Sequence, residues 1–132
     1  MRHPDWQIRL EAFVSERMGA PFVWGSNDCA LFAADAVLAM TGADYAEEHR
    51  GHSTSIGAAR AVKSGGGLQA MATKSLGDPI PTAFARPGDV VLLVVQGRSA
   101  FGICNGTTAI GPGLSEIVAV SMADAVAAWR VE

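Results

Sequence analysis

The sequence is short of charge, of cysteine and of histidine, and each shortage narrows what the chain can do. Charged residues make up only 17% of its 132 positions, with 10 Lys or Arg against 13 Asp or Glu and a net charge of -3. Soluble domains usually carry roughly 25%, so some of the surface is expected to be apolar or covered by a partner. No basic residues cluster, which excludes a phosphate backbone as the main partner and leaves no expectation of nucleic acid. The N-terminal stretch "MRHPDWQIRL" lacks an apolar core of signal-peptide length. The longest aliphatic run, "VVLLVV" at Val90–Val95, is far too short to span a bilayer. A chain that is cytoplasmic when synthesised, with no membrane insertion, is the expectation.

Cys29 and Cys104 stand 75 positions apart and form neither a metal-ligand spacing nor a redox CxxC. In a reducing compartment they are expected as unpaired thiols. "SGGGL" lacks the lysine and hydroxyl residue of a phosphate loop and reads as a linker. No metal and no cofactor is expected, and any covalent chemistry rests on one thiol.

What is present is organised in two halves of one domain, residues 1–132, with no internal repeat. The helical half covers about 1–77 and the sheet half about 88–132. A first helix is predicted from Asp5 to Met18, with Trp6, Leu10, Phe13, Val14 and Met18 on one face and Gly19 behind it. A second carries Cys29, Phe32, Ala33, Ala36, Val37 and Met40 at i, i+3, i+4, i+7, i+8 and i+11, capped by Asn27 or Asp28 and ended by Thr41-Gly42. Short helical pieces follow at Tyr45–His49, Ser55–Lys63 and Leu68–Leu76. After Pro87-Gly88, strands are predicted at Val90–Val95, Phe101–Cys104, Thr107–Ile110 and Ile117–Val120, between the turn signals "QGRS", "NG" and "GPG". A last helix is predicted to open at Ser121, with Asp124 in the capping-box place, and to close before Trp129. Helices first and an antiparallel meander after them make an α+β fold.

Cys29 is the one candidate for chemistry. It lies in the first turn of a helix, where unsatisfied N–H groups favour a thiolate. It also begins the apolar stripe, and on composition a free cysteine there reads first as a small core residue. Asp28 reads as a helix cap and Asp89 as a turn residue after Pro-Gly. Cys104 reads as core. Trp6, Trp24 and Trp129 read as core or rim aromatics, with Trp24 placed to wall a pocket beside Cys29.

"FVWG", then "DC" leading into an apolar helix, then "PGDVVLL" and "AFGICNG" in that order, resemble the NlpC-type cell-wall peptidases, a branch of the papain-like fold. The resemblance implies N-terminal helices packed on an antiparallel sheet, and a helix-borne cysteine activated by a histidine at the start of the second strand. A polar residue on the next strand would orient the imidazole. Aligned this way, Ala100 occupies the histidine position, and the next strand offers only Thr107 and Thr108.

His49 and His52, 20 and 23 positions after Cys29, are the remaining bases a loop would have to bring to the sulfur. On charge pattern they read as residues of a solvated face and of a loop. Without its histidine a thiol lacks the proton donor that amide hydrolysis needs, and losing a triad member commonly costs several orders of magnitude in rate. The resemblance therefore implies a degenerate member, a pseudoenzyme of the kind encoded among tail genes of phages, prophages and gene transfer agents. Its expected partners are other phage-tail or particle proteins and, through them, peptidoglycan. Its expected destination is a virion or phage-like particle tail. The alternative is an active cysteine endopeptidase or amidase cleaving peptidoglycan peptides with Cys29 as nucleophile.

Overall fold

A computed structural model describes residues 1–23, 27–46, 67–113 and 115–132. Three α-helices, α1 (Trp6–Arg17), α2 (Cys29–Thr41) and α3 (Leu68–Leu76), precede five strands. The strands are β1 (Val90–Val95), β2 (Arg98–Cys104), β3 (Thr108–Pro112), β4 (Ile117–Ser121) and β5 (Ala125–Trp129). They form one sheet in the order β4-β3-β2-β1-β5, with every neighbouring pair antiparallel. The α+β class and the meander of the first four strands follow the sequence reading.

The central helix α2 is set by its ends and its stripe. Asp28 supplies the cap: its Oδ1 accepts from the Leu31 backbone N–H at 2.9 Å. Gly42 takes a left-handed conformation, φ 82°, and donates its N–H to the Leu38 carbonyl at 2.8 Å. Between them Phe32, Ala33, Ala36, Val37 and Met40 are buried against Val90, Leu92, Phe101 and Ile103 of the sheet. Helix α1 packs across α2 through Phe13 and Phe32, whose ring centroids lie 5.1 Å apart. Met18 does not share this face. It is exposed, because α1 ends at Arg17 and the chain leaves the helical stripe there.

Tyr45 and Ala46, expected to open a helical piece, are not helical. After the Gly42 cap the Asp44 side chain accepts from the Ala46 N–H at 3.1 Å, a local turn that competes with a helix. The rest of that piece and Ser55–Lys63 lie outside the described residues.

The predicted last helix is instead a single 3-10 turn, Met122–Asp124, followed by strand β5. Ser121 does cap the turn, accepting from the Ala123 N–H at 3.1 Å. The alanine-rich segment that follows pairs with β1, whose edge would otherwise lie open. A bulge beside Leu92 and Leu93 leaves Val126 out of the register. Ala127 and Trp129 then face the helices, while Ala125 and Ala128 face the second, smaller core with Val91, Leu93, Cys104 and Ala109.

The β1–β2 hairpin closes through Gln96 and Gly97, both at positive φ, 52° and 75°, between the paired Val95 and Arg98. Two left-handed residues in a two-residue loop are the type I′ solution that matches strand twist.

Before β1, residues 86–89 make a tight turn in which the Asp89 N–H reaches the Arg86 carbonyl at 2.9 Å, with Gly88 at φ 92°. Asp89 is fully buried at its end. Its carboxylate takes the Arg2 guanidinium at 2.7 Å, the Arg86 N–H at 2.9 Å and the Val131 N–H at 3.0 Å. What reads in sequence as a turn residue is the polar knot that ties both ends of the described chain to the sheet.

Candidate functional site

Cys29 is the first residue of α2 and is partly buried. The segment ahead of it is braced from two sides. Val23 and Asn27 pair through both backbone groups, Asn27 N–H to Val23 O at 2.7 Å and the reverse at 3.3 Å. Arg17, at the end of α1, then donates to Asn27 Oδ1 at 3.1 Å and to Asp35 Oδ2 at 2.6 Å, fixing the start of α2 against α1.

The sulfur lines a cavity of about 200 Å³ at the junction of α2 with the sheet. Phe101 and Ala100 of β2 line it too, with Leu93 and Val95 of β1, Gly111 and Pro112 of β3, and Val118 and Val120 of β4. Arg98 supplies the one charged side chain of this lining. The β2–β3 ladder pairs only Ile103 with Ile110 and Cys104 with Ala109.

Burial pushes the Cys29 thiol above its ordinary value near 9.0, and the negative charge of Asp28 beside it pushes the same way. The N–H groups of Phe101, Ala30 and Cys29 itself pull against that rise without cancelling it. Burial thus opposes the pull towards thiolate expected of the first turn of the helix. Loss of water around the sulfur is the largest influence, and it favours the protonated form.

Ala100 sits on β2 opposite Leu93, partly buried, and is among the residues that line the cavity with Cys29. Thr107 and Thr108 lie away from it. Thr108 opens β3 opposite Ser121, and the β3 positions that reach the cavity are Ala109, Gly111 and Pro112. No polar side chain on that strand is placed to orient an imidazole.

His3 lies at the far end of α2. Its N–H bonds to the Met40 carbonyl at 2.7 Å and its Nε2 lies 3.5 Å from where a Cβ on Gly42 would stand. A helix of this length puts it about 20 Å from the sulfur, so His3 is not its base. His49, His52 and Trp24 lie outside the described residues. Cys104 is buried core, as read from sequence. Among the described residues no three His, Cys, Asp or Glu side chains are grouped to hold a metal ion. No helix there is long and apolar enough to cross a membrane.

Two features of the site had no signal in the sequence. Arg17 braces the cysteine loop from residues 10 and 18 positions away, and Arg98 reaches the cavity only because the hairpin returns it there. Both depend on tertiary placement.

A family model described as a domain of unknown function, DUF6950, matches residues 1–131. The chain belongs to the DUF6950 family. No curated protein matches it. The match runs across both halves, so the helices, the sheet and the Cys29 cavity all fall within the DUF6950 domain. Chemically, the cavity of this DUF6950 domain suits an apolar group beside a thiol. Within the described residues it offers no proton relay.

Proposed function

We propose that this DUF6950 domain is a papain-like scaffold of the NlpC type that has lost its catalytic base and works as a binding or assembly part of a phage or phage-like tail particle. One observation carries the reading. Cys29 and Ala100, the residue that the resemblance aligns with the missing histidine, line the same cavity. The order of elements supports it: a capped helix bearing the cysteine packs on an antiparallel sheet whose second strand carries Ala100. The raised thiol pKa supports it as well, since a cysteine nucleophile works as thiolate.

The chemistry of such a cavity is recognition rather than turnover. The cavity is apolar apart from the thiol and Arg98, and a short peptide side chain with an acidic neighbour fits that pairing. The particle setting rests on the resemblance alone. Incubation of the purified protein with peptidoglycan fragments tests the loss of activity. No cleavage above background is expected, from the protein or from Cys29→Ala. Cleavage that Cys29→Ala abolishes would overturn the proposal in favour of an active thiol hydrolase. Co-purification of the domain with tail particles, by mass spectrometry of assembled virions, tests the setting, and its absence from such particles would refute it.

A further inference from the structure

A second cleft lies at the other end of α2 from Cys29, walled by the N-terminal segment, the turn before β1 and the residues after β5. Its volume is about 830 Å³, and Arg2, Arg86 and Arg130 all line it, with Trp6, His3 and Glu132. Three guanidiniums thus gather in one place on a chain whose net charge is -3.

The buried carboxylate beneath does not balance them. Asp89 takes Arg2 at 2.7 Å and two backbone N–H groups, and it is shared with Arg130. Arg130 Nε stands 3.5 Å from its other oxygen and, though buried, makes no hydrogen bond, while Nη2 donates to the Phe84 carbonyl at 3.0 Å. Arg86, exposed on the turn, makes no side-chain hydrogen bond among the described residues. Counting Asp89 and Glu132 against three arginines leaves the cleft one positive charge in excess. Arg2 is also held rigid: its guanidinium lies 4.3 Å over the Trp6 ring and donates to the carbonyls of Pro87 and Val131. Preset guanidinium forks with spare donors match the paired oxygens of phosphate and carboxylate groups.

We propose that this cleft binds an oxyanion, the phosphate or carboxylate group of a partner molecule, with Arg86 and Arg130 as its donors and Arg2 as the fixed wall. The site is independent of the Cys29 reading, since the two lie at opposite ends of α2. Thermal unfolding of the intact chain is followed against inorganic phosphate, and separately against succinate, at ionic strength held constant with sodium chloride. The melting temperature is expected to rise with the bound ion by mass action and to stay flat in the chloride series. Arg86→Gln, which removes no described hydrogen bond, is expected to leave the ion-free melting temperature unchanged and to weaken the ion roughly tenfold. Arg98→Gln, on the distant hairpin, leaves the response intact. A response to phosphate alone identifies a phosphate group, and a response to succinate alone identifies a carboxylate. A flat series with both ions, or undiminished binding by Arg86→Gln, overturns the proposal.

Discussion

Arg2 and Asp89, 87 positions apart, meet in a 2.7 Å ion pair in which the carboxylate is wholly buried and the guanidinium partly so. Buried pairs of this kind are seldom a large net gain, because both charges lose water. Breaking one is a different matter, since the survivor stays buried and unpaired. Asp89→Ala strands Arg2 and the N–H groups of Arg86 and Val131 together. A loss of about 3–5 kcal/mol is expected in urea unfolding. A loss under 1 kcal/mol would mean that the two ends of the chain are not tied through this residue.

The same pair depends on a bare backbone position. A Cβ on Gly88 would stand 2.8 Å from Arg2 Nη1 and 3.0 Å from Met40 Sδ, at a φ of 92° that L-residues avoid. Gly88→Ala is expected to cost about 1–3 kcal/mol by crowding and backbone strain together. Calorimetry of the variant should also show less than additive loss when combined with Arg2→Met, because that change removes the guanidinium the new methyl would crowd.

Arg17 offers a separable test of how the cysteine loop is held. It joins the end of α1 to Asn27 and Asp35 and lies 5.0 Å over the Phe13 ring. Arg17→Met keeps much of the apolar stem but removes the charge from a largely buried Asp35. A destabilisation of about 2 kcal/mol is expected. Faster labelling of Cys29 should accompany it, as the loop before α2 loosens.

Restoring the absent group asks whether the geometry survives. Ala100→His should lower the titration of Cys29 and speed its alkylation, because an imidazole beside the sulfur favours the thiolate. The same substitution at Ser99, the neighbouring residue on β2 and absent from the cavity lining, is expected to leave the rate unchanged. Equal effects at both positions would sink the alignment of Ala100 with the histidine position.

Much of the scaffold was legible because it is written locally. The 3.6-residue stripe of α2, its Asp28 cap and its Gly42 stop lie within one stretch, and "VVLLVV" and "AFGIC" announce paired strands. Strand β5 was not legible. Alanine favours a helix, Ser121 and Asp124 imitate its start, and the bulge at Val126 breaks the alternation that marks a strand. Only the open edge of β1, a tertiary fact, decides the outcome. At the site, the sequence singles out Cys29 and Ala100, and the two line one cavity. The direction of the thiol's pKa could not, since it depends on how much water the folded cavity removes. The Asp89 knot was hidden for a similar reason, its partners lying at residues 2, 130 and 131.

The most direct test of the central claim, that Cys29 is a thiol without a base, is its alkylation rate from pH 5 to 11, with Cys29→Ala as the blank for Cys104. Stability checks the same shift. With its folded pKa raised, the thiol's contribution is complete below its unfolded value near 9.0 and is lost as pH climbs through the folded one, a loss Cys29→Ala should not share. The account predicts slow labelling at neutral pH and an inflection above 9.0. An inflection well below 8, with fast labelling at neutral pH, would contradict it.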